Sequence, residues 1–85
     1  MDALAQIDTI VEWLNKLDVE TRREHLGGDG GGLCRLRDEP VVFIDLDADM
    51  ATQISRCVEA LAMMPEVGER FLPPAIREQV ERLRR

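Results

Sequence analysis

Apolar residues recur at spacings of three and four in three segments of the chain, which is the period of an amphipathic helix. The first segment covers residues 3 to 17, the second residues 50 to 64 and the third residues 75 to 84. Pro65 follows the second segment, and Pro74 fits the first turn of the third. The pattern therefore predicts three helices, two of them with a boundary marked by proline.

The middle of the chain has the patterns of strands and loops. Residues 41 to 45, which begin Val-Val-Phe-Ile, are apolar without alternation, and this predicts a strand covered on both faces. Within residues 33 to 37, Cys34 and Leu36 alternate with Arg35 and Arg37, which is typical of a strand with one wet face. The two segments predict a hairpin through the turn-like tripeptide 38 to 40. Residues 27 to 32 hold five glycines and predict a loop. Residues 19 to 26 favour a polar strand, with a helix extension as the alternative.

These elements predict one small α+β domain over residues 1 to 85. Its expected order is an N-terminal helix, a short antiparallel sheet of two or three strands, and two C-terminal helices. The helices over 3 to 17 and 50 to 64 should pack over the sheet. A domain of this size buries only about two-thirds of its unfolded surface, which favours association with a partner chain.

The charge of the chain narrows the classes of partner. The net charge is -6, which argues against nucleic acid because phosphate binding needs a basic surface. No apolar run approaches the roughly 20 residues needed to span a bilayer, and no basic leader precedes an apolar stretch. Cys34 and Cys57 lack metal-ligand spacing, so we expect two reduced, buried thiols in a cytoplasmic protein without a cofactor.

Three aspartates with a spacing of two, Asp45, Asp47 and Asp49, follow the apolar strand. The run Val-Val-Phe-Ile-Asp-Leu-Asp over residues 41 to 47 resembles the opening motif of the haloacid-dehalogenase-like phosphatases. That resemblance implies a nucleophilic Asp45 and an acid/base Asp47. The sequence departs from the family where Ala48-Asp49 replaces Gly-Thr and where no lysine follows residue 16.

The same aspartates match the first three ligand positions of an EF-hand calcium loop. Met50 stands where that loop needs glycine, and Arg56 stands where it needs its closing acid. The preferred interpretation is structural: Asp45 ends the strand, and Asp47 or Asp49 caps the helix that begins near Met50. The alternative is an acidic divalent-metal-binding or hydrolytic protein that uses Asp45, Asp47 and Asp49.

The order of hairpin, apolar strand and helix over residues 32 to 64 resembles the core of minimal zinc metallopeptidases of the ImmA/IrrE type. Their helix carries His-Glu-x-x-His, and the corresponding window here is Val58 to Ala62, with Glu59 as the acid. Apolar residues occupy both metal-ligand positions, so the resemblance implies a similar local fold without zinc chemistry.

The expected function is therefore non-catalytic. An apolar strand in so small a chain predicts a protein-protein interaction or self-association module, with a homodimer as the preferred form. The predicted interaction residues are those of the strand and its exposed edge: Val41, Val42, Phe43 and Ile44.

Overall fold

The computed structural model describes residues 1–64, 68 and 72–84. Its elements in chain order are α1 (Ala3–Lys16), β1 (Glu20–Glu24), β2 (Gly32–Leu36), β3 (Glu39–Asp45), α2 (Met50–Ala62) and α3 (Pro74–Arg84). The α+β class and the placement of one helix before the sheet and two after it are confirmed. The segment between α2 and α3, including Pro65, lies largely outside the described residues.

Local capping explains where the first two helices begin. The carboxylate of Asp2 accepts a hydrogen bond of 2.8 Å from the backbone N–H of Ala5, and the carboxylate of Asp49 accepts one of 2.7 Å from that of Thr52. Each bond satisfies a donor that the first helical turn leaves without a partner. α1 ends before Asp18, whose φ of 62° is left-handed and turns the chain into β1.

The three strands form one mixed sheet in the order β1-β3-β2. β2 and β3 pair antiparallel as the predicted hairpin, whereas β1 pairs with β3 in parallel. The expected sheet was antiparallel throughout, so the β1–β3 pair corrects that expectation. The reason is the path of residues 25 to 31, which carry the chain from the end of β1 across the end of β3 to the far side of the sheet.

The hairpin turn is tighter than predicted. Arg37 and Asp38 alone connect the strands, with φ values of 53° and 68°, and Leu36 pairs directly with Glu39. Two consecutive left-handed residues are the conformation of a type I′ turn, whose twist matches that of the flanking strands. Pro40, expected in the turn, belongs to β3 and pairs with Arg35.

The hydrophobic core lies between the sheet and the helices. α1 and α2 pack on each other and on the sheet, and α3 packs against α2 and α1. Side chains of successive strand residues point to opposite faces, and from β3 it is Val42 and Ile44 that join the core. The helices contribute Ile10, Leu14, Cys57, Val58, Leu61, Ile76 and Val80, each at most 3% exposed.

Candidate functional site

The acidic site lies where β3 ends, beneath the glycine-rich residues 25 to 31 that cross the end of this strand and that we call the crossing loop. Asp45, the last residue of β3, is only 2% exposed, and its carboxylate accepts four backbone N–H groups. Oδ1 accepts from Leu26 and Asp47, both at 2.9 Å, and Oδ2 accepts from Gly28 at 2.7 Å and Gly30 at 3.1 Å. The carboxylate thus takes up donors that the crossing loop cannot give to a neighbouring strand.

The electrostatics of Asp45 favour the charged form. Burial acts to raise the pKa of this carboxyl, while the bonds from Leu26, Asp47, Gly30 and Gly28 together lower it, and the net direction is below the ordinary value of 3.8. Hydrogen bonds to an ionised acceptor are stronger than bonds between neutral groups. Asp45 is therefore a fixed internal anion that holds the crossing loop on the sheet.

Close approach explains why this loop is rich in glycine. A Cβ at Gly30 would lie 2.6 Å from the Cβ of Leu26, and a Cβ at Gly31 would lie 3.0 Å from the backbone oxygen of Phe43. Gly31 also has a φ of +96°, which side-chain-bearing residues rarely adopt. The glycines let the backbone come near enough for its N–H groups to reach Asp45.

Asp47 fastens the beginning of the same loop. Its Oδ2 accepts the backbone N–H of Gly27 at 2.9 Å, and its Oδ1 lies 2.8 Å from Nδ1 of His25. The hydrogen bond from His25 is the largest cause of the lowered pKa of Asp47, and the bond from Gly27 adds to it. The side chain of His25 is exposed, and the contact that it makes in the structure is the one with Asp47.

Asp49 is the N-cap of α2, and its pKa is lowered chiefly by the backbone hydrogen bond from Thr52. The structural interpretation is thus confirmed for the end of the strand at Asp45 and for the helix cap at Asp49. Asp47 binds the loop at Gly27 instead of the helix.

The chemistry open to these carboxylates is limited by their partners. Both oxygens of Asp45 and both of Asp47 already accept hydrogen bonds from neighbouring parts of the chain. A nucleophilic or ligating Asp45 would have to release backbone donors that have no other acceptor in this arrangement. Among the residues that the structure describes, no group of three or more His, Cys, Asp or Glu is placed to hold a metal ion.

The predicted interaction residues are mostly inside the folded chain. Val41, Val42 and Ile44 are at most 3% exposed, and Phe43 is half-buried with the guanidinium of Arg22 5.8 Å from its ring centre. β3 is the central strand, so both of its edges are paired and the expected exposed edge does not exist. Both faces of β3 were expected to be covered. The helices cover one face, and side chains of the neighbouring strands, such as Arg22 over Phe43, cover part of the other.

The accessible parts of the sheet are the side away from the helices and the outer edges of β1 and β2. Val41 and Phe43 face this side, flanked by Arg22 on β1 and by Cys34 and Leu36 on β2. We call it the open face; in the described part of the chain, the helix contacts come from the opposite side. Leu36 is 42% exposed, and Cys34, expected to be buried, is exposed.

The pattern of residues 33 to 37 predicts one arm of a hairpin and does not by itself indicate a contact surface. The feature that could have identified it is the contrast with residues 20 to 24, Glu-Thr-Arg-Arg-Glu, which carry four charges where β2 carries one. A strand edge with few charges is available for pairing.

Comparison with protein-family models, with curated proteins and with solved structures gave no match to this chain. No helix in the described ranges has both the length and the hydrophobicity that crossing a bilayer requires.

Proposed function

We propose that this protein is a non-catalytic module for self-association or protein-protein interaction in the cytoplasm, with a homodimer as its preferred form. One observation carries the proposal: the helices cover one side of a three-stranded sheet, while Leu36 and Phe43 lie on the open face. Leu36 pairs with Glu39 and Phe43 with Gly32, so the two side chains lie towards opposite ends of the β2–β3 ladder. Exposed apolar groups on a sheet face that the helices leave uncovered are surface that a protein partner can cover.

The engagement of the carboxylates supports the non-catalytic part of the proposal. Asp45, Asp47 and Asp49 each accept backbone hydrogen bonds that hold the loop or begin α2. Their positions are therefore accounted for by the fold without any reaction. The free, exposed thiol of Cys34 is in keeping with a reducing compartment.

The proposed contact surface differs from the one expected from the apolar strand. Val42 and Ile44 belong to the core between sheet and helices, so a partner could reach them only after unfolding. The side chains that a partner can reach on the sheet include those of β2 and of the open face, among them the large hydrophobic side chain of Leu36.

Sedimentation equilibrium over micromolar concentrations tests the proposal. We expect a mass approaching twice the 9.6 kDa of one chain. Leu36→Glu should weaken the dimer by at least about ten-fold, because a charge would have to be buried in the contact. The matched control is Leu4→Glu on α1, since Leu4 is 59% exposed and lies away from the sheet.

A mass of 9.6 kDa at every concentration would contradict self-association. Equal weakening by Leu36→Glu and Leu4→Glu would show instead that the contact does not cover Leu36 and the open face. Circular dichroism of each variant checks that the change in mass is not a change in folding.

A further inference from the structure

The two edge strands of the sheet differ in their capacity to accept another strand. In the described part of the chain, β1 and β2 each pair with β3 alone, so each has an outer edge with backbone groups free to bond. Natural proteins block such edges with charged side chains, prolines or bulges. An edge without such a block is therefore the better candidate for pairing with another strand.

The edge of β1 is blocked by charge. Four of its five residues are charged, and the antiparallel register that pairs this whole strand with a second copy of itself opposes Arg22 to Arg22 and Glu20 to Glu24. Like charges directly opposite each other destabilise a sheet. β1 is thus suited to be the outer boundary of a larger sheet and not its junction.

The hydrogen-bonding pattern of β2 follows from its hairpin. Leu36 and Glu39 flank a two-residue turn, so they form a hydrogen-bonded pair, and pairs along an antiparallel ladder alternate. Leu33 and Arg35 then direct their backbone N–H and C=O groups outward. Pro40, which has no N–H, lies opposite Arg35 where the ladder needs no bond, in agreement with this pattern.

We propose that the outer edge of β2 pairs antiparallel with β2 of a second copy of this chain, joining two three-stranded sheets into one of six strands. This inference rests on the proposed self-association. The register that uses all five residues places Cys34 opposite Cys34, and Leu33 opposite Arg35 of the second copy. Leu33 and Arg35 are the residues with outward backbone groups, so about four inter-chain hydrogen bonds form.

The side chains fit this register. The one charged residue of β2, Arg35, meets Leu33 of the second copy and not another arginine. On the open face, Leu36 lies opposite Gly32 of the second copy, which has no side chain to obstruct it. The resulting six-stranded sheet ends on both sides in the charged strand β1, so the assembly closes at two chains.

Cys34 makes the register measurable without a new probe. Residues opposed in a non-hydrogen-bonded pair have Cα atoms about 4.5 Å apart, within the range of about 4.4–6.8 Å that a disulfide spans. The matched control is a thiol at position 36 on the same face of β2, introduced as Leu36→Cys together with Cys34→Ser. The two copies of that position would be four residues out of register, about 13 Å apart.

The experiment follows disulfide formation with diamide at a concentration where sedimentation shows the dimer. We expect Cys34 to form an inter-chain disulfide at least about ten-fold faster than the thiol of the Leu36→Cys variant, because only Cys34 meets its own copy. Cys57 is fully buried and stays reduced in the folded chain. Equal rates for the two positions reflect random collision and would overturn the pairing.

A second pair of variants tests the backbone bonds. Arg35→Pro removes an outward N–H without breaking a β2–β3 bond, and Arg35→Thr removes the same charge but keeps the N–H. We expect Arg35→Pro to weaken the dimer at least about ten-fold while Arg35→Thr leaves it intact. Should Arg35→Pro fail to fold by circular dichroism, the thiol comparison decides alone.

The outcomes separate this inference from the proposed function. A dimer with equal thiol rates, or one that Arg35→Pro and Arg35→Thr affect alike, keeps self-association and rules out the β2 edge. A chain that is monomeric throughout overturns both.

Discussion

Replacement of single glycines tests how the crossing loop is held on the sheet. Gly27 and Gly31 have similar φ values, +90° and +96°, but different surroundings. A Cβ at Gly27 would meet nothing within 4 Å, whereas one at Gly31 would lie 3.0 Å from the backbone oxygen of Phe43 and 3.5 Å from the nitrogen of Asp45. Alanine at each position therefore incurs the cost of a positive φ, but only Gly31→Ala adds a steric contact.

The expected magnitudes follow from those two terms. A left-handed backbone costs an L residue about 1–2 kcal/mol, and the reduced freedom of the unfolded chain returns about 0.4–1 kcal/mol. Gly27→Ala should therefore lose about 1 kcal/mol of unfolding free energy. At Gly31 the neighbour is backbone of the central strand, which cannot turn aside, so the loop must move; weakening one hydrogen bond adds about 1 kcal/mol.

Urea denaturation followed by the fluorescence of Trp13, the single tryptophan, measures both losses. For a domain of 60 to 100 residues, a further 1 kcal/mol corresponds to a melting temperature lower by about 4–8 °C. Gly31→Ala should therefore melt about 4–8 °C below Gly27→Ala. Equal destabilisation of the two variants would refute the close approach between loop and strand.

Three further predictions concern single groups. The pKa of Asp45 in the folded chain lies below the unfolded value of 3.8, so its ionised carboxylate stabilises the fold above pH 3.8, and this stabilisation is lost as pH falls through the folded pKa. Urea midpoints measured from pH 7 to 2 should show the loss. Asp45→Asn should make the midpoint depend less on pH. Asp38→Gly should raise the unfolding free energy by about 0.5 kcal/mol, measured in urea, because glycine adopts the left-handed turn without strain. Burial raises the pKa of the Cys57 thiol to about 11, with Arg23 slightly opposing, so a thiol reagent should modify Cys34 alone until the chain is unfolded.

Local patterns predicted the helices and the hairpin well. α2 was expected over 50 to 64 and spans Met50–Ala62, with Asp49 as its cap. Helical periodicity and capping depend on residues within about one turn of one another, which is why a single sequence contains them. Within α1, the buried positions are Ile7, Ile10 and Leu14, whereas Leu4 is exposed.

The parallel pairing of β1 could not be predicted in this way. Strand direction is decided by where residues 25 to 31 run, and that path depends on contacts with Asp45, which is 15 to 19 residues away along the chain. The residues of β1, Glu-Thr-Arg-Arg-Glu, show no alternation of apolar and polar positions, and nothing in them distinguishes a parallel from an antiparallel direction. Hydrogen bonds between a loop and a distant residue produce no periodic pattern of apolar residues from which they could be predicted.

The prediction that the apolar strand β3 has an exposed edge was wrong for a related reason. An unbroken apolar run predicts that both faces are covered, and for Val41, Val42 and Ile44 this is so. The apolar run does not indicate which groups cover the open face. In the structure, side chains of the same sheet do so in part, since Arg22 lies over the ring of Phe43. A central position in the sheet accounts for the pattern without a partner chain.

The glycine-rich loop and the aspartates that follow β3 each resemble part of a ligand site when considered separately. Backbone N–H groups of such loops bind external anions, and aspartates after a strand bind metal ions or act as nucleophiles. In this fold the two features bind each other, since the N–H groups of Gly28 and Gly30 converge on Oδ2 of Asp45. An anion that occupied the loop would have to displace Asp45, and a cation on Asp45 would have to leave those N–H groups without an acceptor. Each half of the apparent site thus binds the other half, which leaves neither half free for an external ligand.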